Sequence, residues 1–316
     1  MASVFLTIDT EIAWRHHVAG LEMPTLFERS IEPAGVGVTY QLGMLNRYGL
    51  KACFFVDPMP ALLFGLEPFK RLVGMIRDAG QEVQLHLHPN WTGAKRGDRG
   101  AAHARFEMVE YDEGDQAALI AGARDLLMAA GAEAPVAYRS GSYAANDATL
   151  RALHRNGLRY DSSHNGAEHP WPSLIDLPLR QIAPVAHQGV VEVPVTVIED
   201  RPGSLRNFQI CALSSGEMLA ALDHAVDHDH AAVTIVSHSF ELANRSGTRA
   251  NSVHVRRFEG LCAMLAQRTA RLPTTHFADA DLRLDSADEP LGPNPLRASW
   301  RHAEQLWSNV IEERAA

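Results

Sequence analysis

Along the chain, short apolar runs alternate with longer stretches in which apolar residues recur every three or four positions. Runs rich in β-branched and aromatic residues predict strands, and the longer periodicity predicts helices with one face inward. Strands are predicted at 3–9 (SVFLTID), 51–57 (KACFFVD), 82–88 (EVQLHLH), 136–140 (VAYRS), 158–163 (LRYDSS), 190–197 (VVEVPVTV), 232–238 (AVTIVSH) and 274–278 (TTHFA). Helices are predicted at 34–48, 60–79, 115–130, 146–156, 216–228 and 253–270. Gly49, Gly80, Gly131 and Gly157 each fall just past a predicted helix end, where a left-handed residue closes the last turn, and Asn146 is placed as an N-cap. This alternation predicts a parallel α/β sheet with right-handed crossovers, open or closed into a barrel, and 316 residues suit one such unit. Residues 162–189, with Pro170, Pro172, Pro178 and Pro184, predict a long irregular excursion. After about residue 281 the chain turns Pro-rich and ends in a predicted helix at 296–313.

Polar residues interrupt this pattern at equivalent places. Asp9, Asp57, His88, Arg139, Asp161 and His238 each lie at the carboxyl end of a predicted strand. In parallel α/β folds the active site gathers at those ends, so the set predicts a shared pocket. Two of the ends carry pairs two residues apart, Asp9 with Glu11 and His86 with His88. Side chains at that spacing on a strand point the same way, roughly 7 Å apart at Cα. Two imidazoles so placed can chelate one ion, and His, His and a carboxylate form a common ligand set for zinc or a related divalent ion. One pair therefore completes the coordination that the other begins.

Composition narrows the remaining choices. An apolar fraction of 46% supports a sizeable core, and a formal net charge of -9 argues against a nucleic-acid surface. The basic run at 94–100 (AKRGDRG) reads as a solvated loop. Cys53, Cys211 and Cys262 show no CxxC spacing and read as buried thiols. No basic-then-apolar leader opens the sequence and no apolar run is long enough for a bilayer, so a cytoplasmic location without a membrane span is expected. His224 and His228 have a helical spacing that can bind zinc, but they precede a strand, on the side away from the pocket, and read as helix surface. His16, His17, Arg245 and Arg249 read as loop surface residues, and Trp91 and Trp171 as packing anchors or sugar-stacking rings.

The series LTIDTE (6–11), GQEVQLHLH (80–88), YRSGSY (138–143), RYDSS (159–163) and IVSHSFEL (235–242) resembles, in order, the motifs of the NodB-type polysaccharide deacetylases. Asp-Thr-Glu, His-x-His and Ser-His-Ser-Phe-Glu together resemble most closely a branch associated with lipopolysaccharide biosynthesis. The resemblance implies a distorted (β/α) barrel of seven or eight mostly parallel strands over 1–280, then a Pro-rich linker and C-terminal helix over 281–316. It implies a metal-dependent hydrolase that removes an N- or O-acetyl group from a carbohydrate, a lipopolysaccharide or exopolysaccharide precursor among the substrates. Carried over, Glu11, His86 and His88 hold a divalent ion, zinc first, with cobalt, manganese and nickel as alternatives. Asp9 becomes the base paired with Arg139, His238 the general acid, and Asp161 a group that tunes His238 or shapes the pocket. The backbone amide of Tyr143 becomes an oxyanion contact.

Two positions depart from the family pattern. Thr10 stands where the common first motif has the second of two adjacent aspartates, so base and ligand can exchange between Asp9 and Glu11. Asn90 stands where the second motif has its second histidine, so either His88 replaces that ligand or the site binds metal weakly. An acetylated sugar or glycan is the expected partner, and no oligomeric state follows. The competing readings are an amidohydrolase acting on a non-carbohydrate C–N bond and an inactive glycan-binding barrel.

Overall fold

The structure, a computed structural model, describes residues 2–97 and 105–313, so positions 98–100 of the basic run lie outside the described residues. In chain order the elements are β1 Ser3–Thr10, α1 Trp14–Val18, α2 Thr25–Ile31, α3 Val38–Tyr48, β2 Cys53–Val56, α4 Ala61–Phe64, α5 Glu67–Asp78 and β3 Glu82–Leu87. Next come α6 Glu113–Ala129, β4 Ala137–Ser140, α7 Asp147–Arg155, β5 Tyr160–Asp161, β6 Val185–His187, β7 Val190–Glu192, β8 Val197–Arg201 and β9 Ser204–Asn207. The chain finishes with α8 Ser215–Asp227, β10 Ala232–His238, α9 Ser252–Ala266 and α10 Pro295–Trp307. Eight strands form one curled sheet in the order β10-β1-β2-β3-β4-β5-β7-β6, parallel except for β6 against β7. This is the expected distorted barrel, open rather than closed, with β8 and β9 as a separate hairpin.

Strand alternation divides the apolar side chains between two cores. Val4, Leu6 and Ile8 of β1 face the helices in the large core, whereas Phe5 faces inward with Cys53, Phe55, Ala137, Tyr160, Val193, Ala232 and Phe277. The inner lane of β1 thus runs Phe5, Thr7, Asp9, from apolar at the amino end to polar at the carboxyl end. Phe277 plugs the amino end, its ring 4.4 Å from that of Phe5 and 5.6 Å from that of Phe55. The segment 274–278, expected as a strand, is therefore a plug. Only Thr274 bridges to Val4, and the amides of Phe277 and Ala278 donate to the Glu82 carboxylate, each at 2.8 Å.

Other differences have local causes. The expected strand 190–197 divides around Pro194, which has no N–H for a ladder. The expected helix 60–79 breaks at Gly65, where φ is 79°. The expected strand 158–163 pairs only over Tyr160–Asp161. Gly49 closes α3 in the left-handed region, and the Asn146 side chain accepts from the Thr149 amide at 3.0 Å at the start of α7, both as expected. The C-terminal helix is also present, and its last turn continues as a π-helix over Ser308–Glu312.

Candidate active site

Register brings the strand-end residues together. Asp9 on β1 is level with His238 on β10 and with Phe55 on β2, and His86 on β3 is level with Arg139 on β4. Registered residues of parallel strands point to the same face, so all of these face the inside of the curl. They open into a pocket of about 130 Å³ lined by Asp9, Glu11, His86, His88, Ser140, Ser142, Tyr143 and His238.

One wall is a cluster of ligand-type atoms. Glu11 Oε2 lies 3.3 Å from His86 Nε2 and 2.5 Å from His88 Nε2. One ligand atom from each of the three lies within 4.8 Å of the others. His86 Nδ1 sits 2.8 Å from the Arg139 carbonyl oxygen, an acceptor only, so Nδ1 carries the proton and the Nε2 lone pair faces the cluster. Burial works against the Glu11 carboxylate, but the neighbouring His88 and His86 outweigh it and hold its pKa well below the usual range. Burial likewise opposes charge on His88, while Glu11 raises its pKa to about 9. The His88 ring lies against Gly141, where a Cβ would overlap it. Beside the cluster, Asp57 accepts from the Met59 amide at 2.9 Å, and its other oxygen has no hydrogen-bond partner. Burial pushes the Asp57 pKa up to about 6. Two imidazole nitrogens and a carboxylate, one tautomer preset by a backbone carbonyl, fit a divalent ion.

The opposite wall is an acid–base array. Arg139, fully buried, donates to Asp9 Oδ1 at 2.9 Å, Thr7 Oγ1 at 2.7 Å, and both the carbonyl and Oγ of Ser162 at 2.9 Å. Burial lowers its pKa, but the Asp9 carboxylate outweighs that and raises it. His238 Nε2 lies 3.9 Å from Asp9 Oδ2, and its Nδ1 lies 3.4 Å from Glu241 Oε2. Glu241 is held in place by donation from the His238 amide at 2.9 Å, the Cys211 amide at 2.7 Å and Gln209 Nε2 at 3.1 Å. Burial disfavours charge on both partners. Their mutual hydrogen bond prevails, so His238 is raised to about 9 and Glu241 lowered to about 2.

Glu241 was not among the expected site residues, although it closes the quoted SHSFE stretch. Asp161, expected to tune His238 or shape the pocket, does not line it. The register pairs Asp161 with Tyr138, which faces the helix-side core, and so turns it away from Arg139. Its carboxylate accepts from Ser163 Oγ at 2.8 Å and sits beside the registered Glu192. Burial and Asp161 together hold the Glu192 carboxyl well above the usual range. Glu241, not Asp161, is the carboxylate against His238.

The remaining expected residues divide. Ser142 and Tyr143 have φ of 56° and 59°, a left-handed pair that turns the loop after β4 over the pocket. Asn90 is buried with neither amide atom hydrogen-bonded. His16 and His17 are buried rather than on the surface, and the His17 ring packs 4.9 Å from Trp14 and 5.1 Å from Trp91. Trp91 is a buried anchor, whereas Trp171 is exposed. The His224 and His228 rings lie 4.1 Å apart, tilted by 41°, and His224 Nε2 is taken up by the Glu289 carbonyl at 3.0 Å. Arg249 pairs with Glu312 at 3.0 Å, and the Arg245 amide donates to Glu313 at 2.7 Å. Among the described residues, no helix is long and apolar enough to cross a membrane.

No sequence-family model and no curated protein matches the chain. Solved structures do. A candidate polysaccharide deacetylase from Mycobacterium smegmatis aligns at 21% identity and a TM-score of 0.53, over 89% of this chain and 95% of that one. A family 4 carbohydrate esterase from Streptomyces lividans, solved with acetate, aligns at 13% identity and a TM-score of 0.44, over 93% and 98%. A polysaccharide deacetylase from Bacillus cereus aligns at 12% identity and a TM-score of 0.43, over 90% and 97%. The first of these shares this chain's fold.

Proposed function

We propose that the chain is a metal-dependent deacetylase that hydrolyses an N- or O-acetyl group on a carbohydrate. The observation that carries this reading is the placement of two opposed groups around one small pocket. Glu11, His86 and His88 form one group, and Asp9, held from behind by the buried Arg139, forms the other with His238. The motif resemblance and the deacetylase name of the Mycobacterium smegmatis structure that shares the fold point the same way. The resemblance also suggests a precursor of lipopolysaccharide or exopolysaccharide as substrate, handled in the cytoplasm, where the three free cysteines would stay reduced.

A divalent ion on Glu11, His86 and His88, zinc first, would supply a Lewis acid for the acetyl carbonyl and acidify a water. The chain's own residues do the rest. Glu11 lies between the two imidazoles, which supports it as ligand, and Asp9 is held by Arg139, which supports it as base. Asp9 Oδ2 takes the proton of the attacking water while Arg139 fixes the carboxylate through Oδ1. The Tyr143 backbone, turned over the pocket, stabilises the developing oxyanion. His238, kept protonated at neutral pH by Glu241, gives its Nε2 proton to the departing nitrogen or oxygen. Asp161 acts through the scaffold, sharing a buried hydrogen-bonded carboxyl pair with Glu192.

The test is metal analysis of the purified chain followed by acetate release from acetylated sugars, glycans and small amides. We expect about one divalent ion per site and release from a carbohydrate, abolished by chelation and restored by zinc. Turnover only on small amides would make the chain an amidohydrolase. A metal-loaded chain that binds glycans and releases no acetate would make it an inactive barrel.

A further inference from the structure

The C-terminal helix is docked with its polar side inward. Along α10 and its π-helical continuation, Arg301, Ser308 and Glu312 are buried. On the outside, Leu296 is 82% exposed, Trp300 65%, Leu306 65%, Trp307 56%, Ile311 43% and Val310 39%. Buried polar contacts hold the helix. Arg301 pairs with Asp200 and, at 3.0 Å, with Glu217. Glu304 accepts from Arg257 at 2.8 Å, Ser308 from Asn251 at 2.8 Å, and Glu312 from Ser252 at 2.5 Å. A surface helix ordinarily has the opposite arrangement, so an apolar face of this size is left to be covered by something else.

We infer that this face pairs with the same face of a second copy of the chain, α10 against α10 across a twofold axis. Leu296, Trp300, Ala303 and Trp307 follow one another at intervals of four, three and four, the spacing of a helix–helix seam, and Val310 follows in the π-helical turn. With Leu306 and Ile311 beside the seam included, the exposed apolar residues amount to on the order of 700 Å² per copy, an upper limit on what the pairing covers and close to one side of a standard-sized interface. None of the five seam positions carries a formal charge, although Trp300 Nε1 donates to Glu304 beside it at 3.0 Å. Of the charged residues between Leu296 and Ile311, Arg297 and Glu304 are partly buried and Arg301 wholly so. A second copy therefore meets no charged side chain at the seam positions themselves, as a self-complementary interface requires. A lipid surface fits less well, because interfacial helices flank their apolar face with Lys and Arg. Here Glu304, Glu312 and Glu313 lie nearby, on a chain of net charge -9.

The pairing would also brace the site. Arg257, held by Glu304, donates to the carbonyls of Ile210 and Cys211 at 3.2 and 3.1 Å, and the Cys211 amide is a donor to Glu241.

The test is sedimentation equilibrium of the full chain at micromolar concentration, alone and with vesicles of phosphatidylcholine or of phosphatidylcholine with phosphatidylglycerol. We expect twice the chain mass and no vesicle binding. Trp300→Glu and Trp307→Glu should each weaken the dimer by about 30-fold or more, leaving the circular dichroism unchanged. Should those variants fail to fold, Ala303→Cys at the middle of the seam gives a second readout. Mild oxidation should link it into a dimer, while Leu62→Cys, exposed on α4, stays monomeric on a denaturing gel. A monomeric wild-type chain, vesicle binding by a monomer, or a dimer that neither Trp variant weakens and Ala303→Cys does not cross-link would each overturn the assignment.

Discussion

His238 and Glu241 illustrate how a carboxylate three residues downstream can set a histidine's charge. Replacing Glu241 by Gln removes that charge, so the His238 pKa should fall from about 9 toward its ordinary value. If His238 is the acid, the alkaline limb of kcat/KM moves to lower pH with it. A limb that stays in place would show that another group sets it. The same pair ties stability to pH. The raised His238 contributes stability that is whole below its ordinary pKa and lost as pH rises through about 9. The lowered Glu241 contributes stability that is whole above the ordinary carboxylate range and lost as pH falls toward about 2. The difference in Tm between wild type and Glu241→Gln should therefore be largest near pH 5 to 6, by about that linkage, and shrink above pH 9. His88, raised to about 9, must lose a proton to bind an ion. Zinc titrations at pH 7 in buffers of different ionisation enthalpy should show about one proton released per ion, and His88→Ala should lose both the ion and that proton. Full zinc occupancy in His88→Ala would remove it from the ligand set.

The loop after β4 shows a constraint carried by an element rather than by any ionisable group. Gly141 opens the turn that continues into the left-handed Ser142 and Tyr143, and its missing Cβ is the space occupied by the His88 ring. Gly141→Ala should displace the imidazole and weaken zinc binding by about tenfold or more, within the range of supporting-residue losses. Zinc titration checks this, and Gly122→Ala on α6, where a Cβ meets nothing, is the control. Strand register is the other constraint at this level. Asp161 and His238 both end strands and look alike as sequence, but Asp161 is level with Tyr138 and faces the helices, whereas His238 is level with Asp9 and faces the pocket. Equivalent strand ends therefore predicted the pocket's location better than its membership.

Across the molecule, the barrel and its C-terminal helix are joined by buried ion pairs and hydrogen bonds. Arg301 is fully buried between Asp200 and Glu217, and the Glu217 carboxylate also caps α8 through Ser214. Arg301→Ala would leave the buried Glu217 without its counter-charge and Asp200 with only Arg206, at 3.3 Å, and breaking a buried pair of this kind typically costs about 3 to 5 kcal/mol. Urea unfolding should report that loss, and limited proteolysis should cut near α10 first. Wild-type stability in the variant would mean that the carboxylates find other partners.

The spacing of apolar residues was enough for the parallel α/β fold, because strands and helices bury side chains with different periods. It was enough for the capping glycines, because only the left-handed region closes those helices without strain. Asp-x-Glu and His-x-His were legible as two pairs because alternation keeps residues two apart on one side of a strand. The tertiary structure decided what those local periods cannot carry. It set which strand faces which at what level, and so turned Asp161 outward and brought Asp9 beside His238. It folded the chain back so that Glu241, held by the distant Cys211 and Gln209, became the partner of His238. It turned 274–278 into a plug, because the Glu82 carboxylate took up backbone donors that a strand would have used. It also turned α10 over, because buried Asp200 and Glu217 needed Arg301 more than the barrel needed another apolar stripe. Each of these is a contact between residues far apart in the chain, and no local pattern of apolar and polar positions records such a contact.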